Sequence, residues 1–130
     1  MKKKIKKYLI IDAANEKIIF KIIDNDKIYT NDYENSRKNF DIFAVLLFKF
    51  LKKNMISFKT LDKVLVNLGP GKYSSIRTSL STLKALKLIY KFKIYGFSSK
   101  DIEKSNYSRV LDLLKKGKLI KNLIKPLYMS

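Results

Sequence analysis

The run Val64-Leu65-Val66-Asn67-Leu68 meets Gly69-Pro70-Gly71 and passes at once into the Ser-rich stretch Tyr73-Ser74-Ser75-Ile76-Arg77. Three helix-breaking residues in a row are more punctuation than an ordinary loop carries. They end a buried strand and release the chain directly into a helix. Such a strand-to-helix junction is where α/β proteins place functional groups, because the first N–H groups of the helix are unpaired. Here the turn has two readings. It can offer the N–H groups of Lys72, Tyr73 and Ser74, with the Lys72 ammonium, to an anion. Alternatively, it is a structural turn that tightens the junction. The residues alone leave both open.

The rest of the chain supplies the elements around that junction. Residues 8–12 read as a central strand, and Lys17 to Asp24 as a second, dense in β-branched residues. Asp24-Asn25-Asp26 turns the chain, and Lys27 to Thr30 returns as a short third strand. Asn35 or Ser36 can cap a helix running to about Lys53. Its main apolar stripe holds Phe40, Phe43, Ala44, Leu46, Leu47, Phe50 and Leu51, while Ile42, Val45 and Phe48 spill onto the flanks. An arc that wide predicts burial on more than one side, and in so small a domain one side can belong to another protein or to the chain's own tail.

Lys63 to Asn67 is the next strand, and a helix from Ser74 to Tyr90 follows the turn. One of its faces (Ile76, Leu80, Leu83, Leu86, Tyr90) suits a sheet. The opposite face (Thr78, Ser81, Thr82, Ala85, Ile89) is small enough for a second helix to approach closely. Lys93 to Phe97 is a fifth strand, Ser98 to Asp101 looks like a turn that starts a helix, and a last helix spans about Asn106 to Lys116. The order is that of a single α/β lobe of the RNase H-like or actin-like ATPase kind, with a five-stranded mixed sheet in which an antiparallel meander joins parallel strands. We read 1–130 as one domain, with 1–99 as the lobe and 100–130 as a remnant C-terminal helix and tail.

Composition limits the chemistry. There is no cysteine and no histidine, so no disulfide, no thiolate or imidazole metal site, and no triad built on His. The formal net charge is +18, and all but three of the 29 basic residues are lysine. That charge reads either as an electrostatic footprint for RNA or as compositional drift in a chain rich in Lys, Ile and Asn; the scarcity of arginine argues against base-specific contacts. The basic start leads into four apolar or aromatic residues and Asp12, too short for a signal peptide, and no run approaches the roughly 20 residues of a membrane span. A cytoplasmic location without membrane contact is expected. Asp12, at the end of the first strand, is where lobes of this kind hold a divalent metal, yet no persuasive set of carboxylates accompanies it, and Ala13-Ala14-Asn15 offers neither glycine nor hydroxyl to a phosphate. A capping or strand-end role is the plainer reading of Asp12, with a vestigial nucleotide or metal position, or a catalytic carboxylate, as the alternatives.

Taken in order, several segments resemble the TsaB family. Gly69-Pro70-Gly71-Lys72-Tyr73-Ser74-Ser75-Ile76-Arg77 is similar to that family's G-P-G-S-F-T-G-[LVI]-R signature. Tyr8 to Asp12 looks like its first strand, which usually continues Asp-Thr-Ser; Arg37 to Asp41 sits where it often reads R-x-H-S-E; Tyr95 to Ser99 resembles its G-V-S-S; and Ile124 to Met129 resembles its closing P-x-Y-L-R. The departures are Lys72-Tyr73-Ser74-Ser75 for Ser-Phe-Thr-Gly, Ala13-Ala14 for Thr-Ser, Asn39 for His and Ser130 for Arg. Family members also carry a second lobe, where this chain has only about Lys100 to Ser105.

The resemblance implies a non-catalytic subunit that binds TsaD through two helices and supports synthesis of N6-threonylcarbamoyladenosine in tRNA. TsaE would join the larger complex, ATP/ADP and Mg would reside on the partners, and this chain would need no cofactor or metal. Transferred to these residues, the partner surface is Phe43, Leu47, Thr78, Ser81, Thr82, Ala85 and Ile89. Contact with tRNA would be weak or indirect, through lysines, and a homodimer could form through the same helices when the partner is absent. The competing readings are an RNase H-like metal-dependent nuclease, which needs further carboxylates beside Asp12, and an RNA-binding accessory module.

Overall fold

The computed structural model describes residues 7–102 and 106–121. Five strands form one sheet: β1 (Lys7–Asp12), β2 (Lys17–Asp24), β3 (Lys27–Glu34), β4 (Lys63–Asn67) and β5 (Lys93–Phe97), in the order β3-β2-β1-β4-β5. The β1-β2-β3 meander is antiparallel, whereas β4 lies parallel to β1, and β5 parallel to β4. The apolar runs of β1 and β4 follow from this placement: both strands are central and covered on both faces, so successive side chains are buried whichever way they point. Leu9, Ile11, Val64 and Val66 point to one face, and Ile10, Leu65 and Phe97 belong to the cluster on the other.

Helices α1 (Arg37–Asp41), α2 (Phe43–Lys53) and α3 (Tyr73–Tyr90) follow the chain between β3 and β5, and α4 (Ser108–Lys115) comes last. α2 and α3 form a layer over the larger core cluster, where Phe43, Leu47, Phe50, Leu80 and Leu83 meet Phe20 and the inward side chains of β1 and β4. α4 covers the other face through Val110, against Ile10, Leu65 and Phe97.

Three expectations are corrected. The helix after β3 breaks at Ile42 (φ −112°, ψ 26°), whose N–H reaches Asn39 O, only three residues back. Within α2, Phe43, Leu46, Leu47, Phe50 and Leu51 recur at helical spacing and all face the sheet. β3 runs four residues past Thr30, because β2 pairs with it along its whole length and Tyr29 and Tyr33 alternate inward even where the sequence turns polar. Ser98 to Asp101 opens no α-helix. Residues 99–101 form one 3-10 turn closed by a reciprocal Ser98–Asp101 capping box. The tail motif at Ile124 to Met129 lies outside the described residues.

Candidate functional site

In a sheet of this topology a ligand site belongs beyond the carboxyl ends of the parallel strands. Here those ends deliver Asp12, Asn67 and Ser98-Ser99, with the Gly69–Gly71 turn above them. Asp12 is 2% exposed, and three donors of its own chain surround it. Asn67 Nδ2 donates to Oδ1 at 2.9 Å, the Ala14 N–H to the same oxygen at 3.3 Å, and the Tyr107 hydroxyl to Oδ2 at 2.8 Å. Tyr107 precedes α4 directly and packs edge-on against Phe97, with Lys21 Nζ 5.0 Å from its ring centroid.

The turn is tied into the same network. Asn67 Oδ1 accepts from Gly69 N–H at 2.8 Å, Ser99 N–H donates to Gly69 O at 2.9 Å, and the Ser99 hydroxyl donates to Pro70 O at 2.7 Å. Gly69 sits at φ 103°, a conformation that favours glycine. Gly71 is required by proximity: a Cβ there would collide with the carbonyl and Cβ of Ala14. Lys72 N–H, one of the candidate anion donors, is spent on Ala14 O at 2.7 Å. Asn35 joins from the other side. Its amide donates to Ala13 O and Asn15 O, both at 2.8 Å, and its Oδ1 accepts from the Ser75 hydroxyl.

This arrangement holds the loop after β1 against the start of α3. Among the described residues no buried side-chain polar atom lacks a partner, and no three acidic side chains converge to hold a metal ion. The Asp12 carboxylate meets amide, hydroxyl and backbone donors, which satisfy its lone pairs internally. These bonds make a hydrogen-bonded polar core at the end of the sheet. Beside it the Lys72 side chain points to Asn35 O and the exposed Glu16 at the edge of the turn.

The predicted partner residues divide between inside and outside. Phe43 and Leu47 are 1% and 0% exposed, and they belong to the core of this chain. They lie on the sheet-facing stripe of α2, so no partner reaches them in the folded domain. Ser81, Ala85 and Ile89 are exposed on the outward side of α3, and Thr78 and Thr82 are half-buried beside them. Arg77 is exposed on the same helix. The outward side of α2 carries Val45 and Phe48, which the sequence placed on the flanks of the apolar stripe. Leu88 adds to the exposed apolar surface of α3 at 84% exposure. Sequence reasoning missed Tyr107, Asn35 and Ser75; each is polar, far along the chain from its partner, and carries no spacing that marks it.

No protein-family model matches the sequence, and neither does any curated protein. Solved structures do match. YeaZ from Pseudomonas aeruginosa superposes with a TM-score of 0.65 at 13% identity, over 72% of this chain and 44% of that one. A second P. aeruginosa structure, described as an uncharacterized protein with similarity to peptidase YeaZ, gives the same TM-score and identity over 43% of its own length. T. thermophilus RuvC, solved in complex with Holliday junction substrate, gives a TM-score of 0.54 at 10% identity, over 94% of this chain and 99% of that one. At these identities the shared property is the fold, and the lobe is RNase H-like, as its element order predicts. The chain spans less than half the length of the YeaZ structures it matches.

Proposed function

We propose that this chain is a non-catalytic, partner-binding subunit of the TsaB kind, which binds TsaD and supports N6-threonylcarbamoyladenosine modification of tRNA in the cytoplasm. One observation carries the reading. The place where a lobe of this fold would hold a metal or nucleotide is filled by the chain's own Asn67, Tyr107 and Ala14, while the α2–α3 layer leaves apolar side chains exposed. The likeness in fold to YeaZ, a TsaB protein, and the Gly69–Arg77 signature support the same assignment. On this reading the nucleotide and Mg belong to TsaD and TsaE, and the partner surface is Ser81, Ala85, Ile89 and Leu88 of α3 with Val45 and Phe48 of α2. The test is reconstitution of tRNA modification by the cognate partners with and without this chain, beside co-purification of tagged chain with TsaD. Modification that proceeds equally without the chain, or separate elution of the two proteins at micromolar concentration, overturns the reading.

A second reading is a metal-dependent nuclease acting on branched or structured nucleic acid. The likeness to RuvC across nearly the whole chain and the +18 charge favour it. The hydrogen-bonded burial of Asp12 opposes it, since shared metal coordination needs several oxygen ligands open to one ion. Mg²⁺- or Mn²⁺-dependent cleavage of a four-way DNA junction that Asp12→Asn abolishes would establish it; intact junction after incubation removes it.

A further inference from the structure

The outer surface of the α2–α3 layer has a charge pattern that restricts what can cover it. Between residues 43 and 61, and again between 63 and 100, the sequence contains no Asp or Glu. Both helices fall within those stretches, so every charged side chain they present is a cation, including the exposed Lys49, Lys52 and Lys53 of α2. Between them lie exposed apolar groups: Val45 and Phe48 at 49% and 43%, and Ile89 at 70%. Beside Phe48 the surface dips into a depression of about 240 Å³, floored by Leu51, Ile56, Phe58 and Tyr90 and lipped by Lys52. Phe58 anchors its wall, stacked on Tyr90 and edge-on to Phe48.

We infer that this face takes a folded protein partner presenting an apolar side chain with carboxylates beside it: the apolar side chain enters the depression by Phe48, and a carboxylate meets Lys52 at its lip. The inference deepens the TsaB-like reading and rests on it. Two features exclude the other occupants. A second copy would meet this face with itself, because a two-fold interface sets the same patch against its twin. Cations would then oppose cations with no carboxylate to intervene, and such juxtapositions are strongly unfavourable. The homodimer through these helices is therefore disfavoured by the charges that favour an acidic partner. RNA phosphates would answer the lysines but leave the concave apolar depression unfilled, and a bilayer could take the projecting Leu88 and Ile89 with the lysines but would leave the depression unfilled too. A convex apolar group ringed by carboxylates satisfies both features at once.

The test measures binding of the full chain to its cognate TsaD at about 50 mM and about 500 mM NaCl, a range over which the screening length falls from more than 10 Å to a few ångströms. Association is expected to slow about tenfold or more across it, and in Lys49→Glu/Lys52→Glu at low salt by a similar factor, with thermal stability unchanged. Sedimentation of the chain alone at low salt is expected to show a monomer. A salt-indifferent complex overturns the inference and leaves the TsaB-like reading standing; no complex at either salt removes both. A low-salt homodimer that Val45→Arg breaks overturns the inference. So does binding of tRNA, or of phosphatidylserine-containing vesicles, that Lys52→Glu and Val45→Arg both abolish.

Discussion

Asp12 shows how a single residue's role depends on what reaches it. A carboxylate at the end of the first strand suits metal or nucleotide chemistry when it faces an open cleft. Here Tyr107 and Asn67 close over it, and the same residue becomes a buried acceptor. Tyr107→Phe removes one donor and leaves Oδ2 short of a partner. We expect a loss of about 1–3 kcal/mol, the cost of an unsatisfied buried polar atom, measured as a lower urea midpoint at unchanged slope. Gly71→Ala is expected to cost about as much, through overpacking against Ala14. Gly71 was legible in the sequence as punctuation. Its cause was not, because the obstacle is a backbone atom 57 residues earlier in the chain. Tyr107 was not legible at all: a tyrosine ahead of a short helix carries no mark of a partner 95 residues away.

The elements were read from apolar density, and they were read well where that density was high. β2, β4 and β5 have the boundaries the sequence predicts, because β-branched and apolar residues fill them. β3 was cut short because its inward tyrosines alternate with polar residues, and the pairing with β2 carries the strand where composition does not. The break at Ile42 escaped for a different reason. No glycine or proline marks it. The width of the apolar arc belongs to α2 itself, whose inner side carries Phe43 and Leu47 and whose outer side carries Val45 and Phe48. It was the resemblance that put Phe43 and Leu47 on an interface. Phe43→Ala is now expected to cost about 3–5 kcal/mol of folding stability, as a core cavity does, with no separate binding phenotype in chains that remain folded. Ser81→Arg is the contrasting case. Its side chain is exposed on α3, so the melting temperature should hold while the complex with TsaD weakens at least about tenfold, read by titration calorimetry; equal affinity would remove this face from the interface.

At the scale of the molecule, a net charge of +18 is spread over a fold whose helical layer contains no acid. Charge of that size keeps a protein apart from its copies and speeds encounter with acidic surfaces, effects that salt removes. It was legible as a total, though its meaning depended on where the helices lie. The fold class was legible from element order, since a meander followed by two strand–helix alternations leaves few topologies. The polar core beyond the strand ends was not, because it draws on β1, β4, α3, the 3-10 turn and the approach to α4 together.

That assembly also sets an order of events during folding. The carboxylate of Asp12 leaves water when β1 enters the middle of the sheet, but one of its donors arrives only with Tyr107. Closing so long a loop is slow, and contacts of this span form after local ones. A chain emerging from the ribosome can therefore pair its first strands early, yet it cannot complete its centre until Tyr107 has emerged. A chain truncated before Tyr107 should remain open to protease across β1, and the released chain that includes α4 should resist it.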